Sequence, residues 1–354
     1  MKILMVITGM QSGGAERVMA TLCNELSKRN DIRLLVLKEK KTDYKISDKV
    51  EFIAGNIKNQ NIIHSIQFVK NQIEEWKPDV ILSFMTKTNI ISLLAKRKAN
   101  FKSKLVIAER ANPYNAKIYL KIIRKFLYPK ADGCVFQTKL AEQYYNKILK
   151  CKSKIIRNPL NPDFKIEQFN GKQKNKIVST GRLSTEKNQR LLIEAFSLIA
   201  DKYPEYFLEI YGEGPLHKEL QEHINKLNLE KRVILMGRRD NIQKHIKDAK
   251  VFVLASNSEG MPNALLEAMA LGIPSISTDC PIGGPSEIIR KNENGILVPM
   301  NNKEVMAMSI EKIISDEEFS NKLSKNARNV INDYEAIKVC MKWEEFLYEI
   351  AKCK

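Results

Sequence analysis

The sequence predicts an α/β protein made of two doubly wound parallel-sheet domains of similar size. Three observations carry this. Short strand-like apolar runs alternate with stretches of helical periodicity, the pattern of a parallel sheet with crossover helices. The alternation breaks at Arg157-Asn158-Pro159-Leu160-Asn161-Pro162, where two prolines within four residues suit a linker. A length of 354 residues gives each half enough chain for a core of its own.

The elements follow in order. Lys2–Ile7 reads as a buried strand, followed by a glycine-containing loop, a helix over Gly14–Arg29 and a strand at Ile32–Leu37. Val80–Phe84, Leu105–Ala108 and Gly133–Phe136 continue the first sheet. Beyond the linker, strands are expected at Lys176–Thr180, Phe207–Tyr211, Val233–Met236, Val251–Ala255, Pro274–Thr278 and Ile296–Val298. The closing amphipathic stretch, Tyr334 to Ala351, carries Trp343, Phe346 and Tyr348 and suits packing back across the first domain. The expected division is therefore 1–160, 161–333 and a C-terminal helix in 334–354. Open sheets of this kind bind ligands at the carboxyl ends of their strands, so two facing sheets would share one cleft.

Composition excludes several classes. Hydrophobic residues make up 44% and charged residues 28%, ordinary for a soluble globular chain. The longest uncharged run, Ile3 to Ala15, has thirteen residues, too few to span a bilayer. The N-terminus lacks the pattern of a signal peptide. The six cysteines have no metal or redox spacing, which points to a reduced cytoplasmic setting. No Asp-x-Asp triplet or histidine cluster is present, so neither a bound metal nor a cofactor is expected.

Charge is unevenly spread. Met1 to Lys165 holds 32 Lys+Arg against 14 Asp+Glu, a net +18, whereas the remainder holds 27 of each. The excess peaks between Lys87 and Lys130, where twelve cations face one carboxylate, Glu109. Such asymmetry points to an anionic partner for the first half, the alternative being a merely solvated basic surface.

The chemistry-bearing residues lie mostly in the neutral half. In Ser258-Glu259-Gly260-Met261-Pro262-Asn263-Ala264-Leu265-Leu266-Glu267, Pro262 suits the first turn of a helix. Asn263, Ala264 and Leu265 then lie in that turn, with N–H groups available to a phosphate. Glu259 falls in the preceding loop and Glu267 about one and a half turns in. Together they suit the hydroxyls of a sugar and of a ribose on either side of a diphosphate. The plainer reading is two solvated glutamates. In Gly181-Arg182-Leu183-Ser184-Thr185-Glu186-Lys187-Asn188, Arg182 and Lys187 follow a strand end, where fixed cations would stabilise a departing diphosphate. A helix-start salt bridge between Lys187 and Glu186 is the alternative. Gly13-Gly14 after the first strand lets backbone approach a diphosphate. Tyr211-Gly212-Glu213-Gly214-Pro215 and Met236-Gly237-Arg238 are further strand-end turns, the latter suited to backbone contacts with a base.

Together these segments resemble the retaining glycosyltransferases of family four, which have the GT-B architecture, and the resemblance covers the whole chain. It implies that Glu259 contacts donor-sugar hydroxyls, that Glu267 contacts the ribose, and that Arg182 and Lys187 hold the diphosphate opposite the Gly14 amide. Ser83-Phe84-Met85-Thr86-Lys87-Thr88-Asn89 and Glu109-Arg110-Ala111-Asn112-Pro113 are similar to the subset that builds bacterial surface glycans on polyprenyl-diphosphate lipids. One departure stands out. Many members carry a histidine where Glu109-Arg110 stand here, and none of His64, His217, His223 or His245 matches it. Arg110 is then a candidate for a polar contact to the donor.

The acceptor side is expected at Asn115 to Tyr128. Ile118, Tyr119, Ile122, Ile123, Phe126 and Leu127 can share one helical face, flanked by Lys117, Lys121, Arg124 and Lys125. A basic amphipathic helix with aromatics suits an anionic membrane surface. A crossover helix packed on its sheet is the alternative.

The expected activity is metal-independent transfer of a hexose or N-acetylhexosamine from a UDP-sugar, with retention, onto a lipid-linked glycan. The expected place is the cytoplasmic face of the membrane, with no nucleic-acid partner. A nucleotide-sugar epimerase on the same architecture would need no acceptor and no basic face. A nucleic-acid-binding protein would explain the charge, but the basic half lacks a recognised binding motif.

Overall fold

The computed structural model describes residues 1–11, 13–58, 61–110 and 112–353. Ala111, within the Glu109–Pro113 segment, lies outside the described residues. The chain forms two compact units, Met1–Pro159 with Ala336–Lys354, and Leu160–Glu335.

The first unit contains strands β1 (Lys2–Ile7), β2 (Asp31–Val36), β3 (Val50–Ala54), β4 (Val80–Phe84), β5 (Lys104–Ala108), β6 (Gly133–Phe136) and β7 (Lys152–Ile155). They form one parallel sheet in the order β3-β2-β1-β4-β5-β6-β7. The connecting helices are α1 (Gly14–Leu26), α2 (Ile62–Trp76), α3 (Thr86–Lys98), α4 (Ile118–Leu127) and α5 (Lys139–Asn146). The central strands are apolar on both faces because helices cover both sides of a parallel sheet. Edge strands β3 and β7 have no counterpart in the sequence expectations. Val-Glu-Phe-Ile-Ala and Lys-Ser-Lys-Ile are mostly half-buried or exposed, so neither reads as a buried run.

The second unit contains β8 (Lys174–Thr180), β9 (Phe207–Tyr211), β10 (Val233–Gly237), β11 (Ala249–Leu254), β12 (Ser275–Thr278) and β13 (Ile296–Val298). Their order is β10-β9-β8-β11-β12-β13, again parallel. Its helices are α6 (Gln189–Ser197), α7 (His217–Lys226), α8 (Ile242–Ile246), α9 (Asn263–Ala270), α10 (Gly284–Ile288), α11 (Lys303–Ser315), α12 (Glu317–Ala327) and α13 (Val330–Asp333).

The chain then re-enters the first unit as α14 (Ala336–Lys352). Its stripe of Val339, Cys340, Trp343, Phe346, Leu347 and Ile350 joins the same core as Ile3, Met5, Leu34 and Leu82. The fully buried Trp343 ring lies 5.6 Å from that of Phe84, at the end of β4. Among the described residues no helix is long and apolar enough to cross a membrane.

Candidate functional site

Each sheet reverses its strand order once, between β1 and β4 in the first unit and between β8 and β11 in the second. A reversal opens a crevice at the carboxyl ends of the two strands, because their crossover helices leave in opposite directions. Gly13, Arg182, Lys187 and Glu259 lie on loops at these two points, and Gly14, Asn263, Ala264, Leu265 and Glu267 in the helices those loops lead into.

In the second unit the loops after β8 and β11 are bound to each other. Lys187 Nζ lies 2.5 Å from Glu259 Oε1, and Ser256 Oγ donates to the same oxygen at 2.7 Å. The pairing is thus with Glu259, on the neighbouring loop, and not with Glu186. Behind it, the Asn257 N–H donates to the Glu186 carbonyl at 2.7 Å, and Asn257 Nδ2 donates to the Thr185 carbonyl at 2.9 Å. The Arg182 side chain is exposed, while its carbonyl accepts from Gln189 Nε2 at 2.9 Å. Glu259 and Glu267 are 8% and 6% exposed, so neither is a solvated surface glutamate. Carboxylates this buried are costly unless bonded, which sets them apart from surface charge. Pro262 is the N-cap of α9, and Asn263, Ala264 and Leu265 form its first turn.

The glycine turns sort into two kinds. A Cβ on Gly212 would stand 1.9 Å from the Gly181 carbonyl oxygen, so this turn lets two strand-end loops touch. Gly237 has φ of 68° and open space around its Cβ position. Met236 beside it is half-buried and Arg238 is exposed.

One loop escaped the sequence reading. Cys280 to Gly284, after β12, packs against the backbone that carries Glu259. A Cβ on Gly284 would sit 2.1 Å from the Gly260 carbonyl oxygen and 3.2 Å from that of Glu259. Ile282 adopts φ of 78°, a strained value for a β-branched residue that survives only where surrounding structure dictates it. The Cys280 thiol is buried, and burial with the Glu259 carboxylate nearby pushes it up to about 12. Gly283-Gly284-Pro285 was the available signal.

In the first unit, Gly13 and Gly14 open α1 beyond the carboxyl end of β1. Gly13 is extended, so its N–H and C=O point the same way, and the Tyr44 hydroxyl meets both. It accepts from the N–H at 2.9 Å and donates to the carbonyl at 2.8 Å. Nothing in the sequence around Tyr44 signals this clamp. Arg110, at the end of β5, donates to Asn158 Oδ1 at 3.1 and 3.0 Å, and its guanidinium lies over the Phe84 ring at 4.3 Å. Burial lowers its pKa from the usual arginine range.

The acceptor-side expectation needs one correction. Lys117 and Lys125 are exposed and Lys121 is half-buried, but Arg124 is 2% exposed and points inward. The Glu109 carboxylate draws it in, at 3.7 Å. Helical spacing cannot show this, because the counter-charge sits outside the helix, just past the end of β5. The apolar face is turned outward instead, with Ile118 72% and Phe126 68% exposed, and with Tyr119 and Ile122 also exposed. Ile123 and Leu127 are half-buried.

Comparison with known proteins agrees with this geometry. Residues 12–164 match the family model described as Glycosyltransferase Family 4, and residues 162–330 match Glycosyl transferases group 1. The chain is 35% identical over 275 residues to an uncharacterized glycosyltransferase of Methanocaldococcus jannaschii, covering 68% of this chain and 67% of that one. It is 27% identical over 361 residues to the GalNAc-alpha-(1->4)-GalNAc-alpha-(1->3)-diNAcBac-PP-undecaprenol alpha-1,4-N-acetyl-D-galactosaminyltransferase of Campylobacter jejuni, covering 99% of each. Anabaena Alr3699/HepE in complex with UDP superposes with a TM-score of 0.81 at 18% identity, over 99% of this chain and 100% of that one. Two parallel sheets with a basic strand-end loop tied to a buried glutamate, together with these matches, place the chain in glycosyltransferase family 4, with the GT-B fold.

Proposed function

We propose that this glycosyltransferase moves a hexose or N-acetylhexosamine from a UDP-sugar, with retention, onto a polyprenyl-diphosphate-linked glycan of a surface polysaccharide or glycoconjugate. The carrying observation is the switch point of the second unit, where the cation of Lys187 and the buried carboxylate of Glu259 stand on adjacent strand-end loops. Opposite charges held this close suit a ligand that is itself divided into anionic and hydroxyl-rich parts. Glu259 takes sugar hydroxyls and Glu267 takes the ribose. Arg182, Lys187 and the first turn of α9 hold the diphosphate. Met236, Gly237 and Arg238 border the base.

In the reaction the bond from the anomeric carbon to the diphosphate oxygen breaks, and a bond to the acceptor hydroxyl oxygen forms on the same face. The acceptor proton passes to the leaving phosphate oxygen. Negative charge grows on the diphosphate as this happens, so fixed cations favour the transition state over the ground state without a metal. The Campylobacter relative's printed name, with its undecaprenyl-diphosphate acceptor, and the UDP in the Anabaena structure support this choice of acceptor and nucleotide.

The exposed apolar face of α4, with Lys117, Lys121 and Lys125 beside it, supports peripheral attachment to an anionic membrane at its cytoplasmic face. The test is a screen for released nucleotide across UDP-, GDP- and ADP-sugars with short-chain lipid diphosphate acceptors. UDP release that requires the acceptor supports the reading. Donor conversion without acceptor would instead reveal an epimerase.

A further inference from the structure

Crossover helices bury apolar residues. In this unit α1 buries Val18, Met19, Leu22 and Leu26, α2 buries Ile66, Val69 and Ile73, and α3 buries Ile91 and Leu93. The buried residue of α4 is Arg124. Its guanidinium donates to Thr86 Oγ1, stands 3.7 Å from Glu109 Oε2 and lies over the Tyr145 ring at 5.7 Å. Glu109 in turn accepts from Thr86 Oγ1 at 3.1 Å, from Asn89 Nδ2 at 3.3 Å and from the Tyr128 hydroxyl. The cluster joins the end of β5, the first turn of α3 and the last turn of α4. Thr86 follows Met85, whose φ of 75° marks a strained strand-to-helix corner.

Stability alone does not account for this arrangement. Arg124 Nε and Nη1 have no hydrogen-bond partner among the described residues. A buried ion pair with unmet donors is no better than apolar side chains of similar volume, which would pack and need no partners. Apolar residues at both sites would also let α4 roll its isoleucines and Phe126 against the sheet. A buried charge pair forbids that, because rolling would strand Glu109 without its cation.

We infer that Glu109 and Arg124 are positioning residues that hold α4 with its apolar face turned away from the sheet, toward the acceptor-bearing membrane. Neither touches substrate. The orientation itself follows from the pair, whereas its use at a membrane rests on the function proposed above.

Glu109→Gln separates this from simple surface electrostatics. The substitution raises net positive charge, so a purely electrostatic membrane helix should bind anionic vesicles as well or better. The positioning reading expects the opposite. Hydrogen exchange at the amides of residues 118–127 should quicken about tenfold in the full chain, with α6 unchanged. Sedimentation with phosphatidylglycerol vesicles should fall several-fold. The KM for a long-chain lipid acceptor should rise, with donor KM and kcat on a short soluble acceptor kept. Arg124→Lys should restore most of the protection that Arg124→Gln removes. Tyr128→Phe, which removes one bond to Glu109 and no charge, should show the same local quickening on a smaller scale, even if Glu109→Gln folds poorly. Parent-like exchange across α4 in folded Glu109→Gln, or in Tyr128→Phe, overturns the inference. A parent chain that fails to bind the vesicles would instead sink the membrane reading of α4 and leave the exchange result to decide the pair.

Discussion

Lys187 Nζ and Glu259 Oε1 stand 2.5 Å apart across the reversal point of the second sheet. One belongs to the loop after β8 and the other to the loop after β11, so the pair fixes the spacing of both walls of the crevice. Its members have separate proposed duties, diphosphate for the lysine and sugar for the glutamate. Each therefore keeps the other neutralised until the donor supplies both kinds of partner.

The pair makes the two basic residues differ in a measurable way. Arg182→Ala and Lys187→Ala should each lower turnover by about 10²–10³, the scale for losing one transition-state donor. Arg182 is exposed, so its loss should leave melting unchanged. Lys187→Ala strands a buried carboxylate and should also cost about 1–2 kcal/mol, a buried-pair penalty reduced for the partly exposed ammonium. Kinetics and thermal melts on the same preparations check both halves, and near-normal turnover in the folded double variant would remove the clamp.

The glutamates are separable by ligand. Glu267→Ala should weaken binding of the UDP-sugar and of free UDP alike, because its assigned partner is ribose. Glu259→Ala should weaken the UDP-sugar far more than UDP. Calorimetric titration of both ligands decides this, and equal losses for Glu259→Ala would refute a sugar contact.

Gly284→Ala tests the loop beneath Glu259. The added methyl would meet the Gly260 carbonyl oxygen at 2.1 Å, and backbone at both ends must move. A stability loss of about 1–3 kcal/mol is expected, together with weaker binding of the sugar-bearing donor. If calorimetry finds unchanged donor affinity, the loop does not position Glu259.

For the membrane face, Lys117, Lys121 and Lys125 should be changed together to Gln, with Arg124 left in place because it is buried. Each surface cation contributes about 1 kcal/mol near an anionic bilayer, an attraction screened beyond about 8 Å at physiological salt. The triple variant should lose sedimentation with anionic vesicles and slow on long-chain lipid acceptors while keeping transfer to a short soluble one. Parent-like sedimentation would show that these three lysines do not hold the chain at the membrane.

Docking of α14 should be acid-sensitive. Burial raises the Glu344 carboxyl, but hydrogen bonds from Arg29 at 2.7 Å and Asn30 at 2.6 Å outweigh it and hold the group below its ordinary value. A depressed carboxylate contributes stability above that ordinary value, about 4.5, and loses it as pH falls through the folded-state value. Trp343 fluorescence during denaturation between pH 6 and 3 should show weakening in the parent. Glu344→Gln should flatten that part of the profile.

By itself the sequence determined the alternation, the linker and most central strands, because those depend on local periodicity and on proline. It also placed Arg182, Lys187 and Glu259 at strand ends and Glu267 in the helix that follows. Such positions follow from counting along a motif, and the glycines and Pro262 mark where the motif begins. What it could not show was partnership across sheet neighbours. The edge strands β3 and β7 carry mixed polarity and borrow their order from adjacent strands. Lys187 meets Glu259 instead of Glu186 because β8 and β11 are adjacent, although most of the second unit's first half separates them in the chain. Arg124 shared a helix with surface lysines and read as one of them. Its direction was decided by Glu109, a carboxylate at the end of β5 that could stay buried only by drawing a cation inward. Tyr44 on Gly13, and Gly284 on Gly260, likewise act through contacts between loops that no spacing encodes.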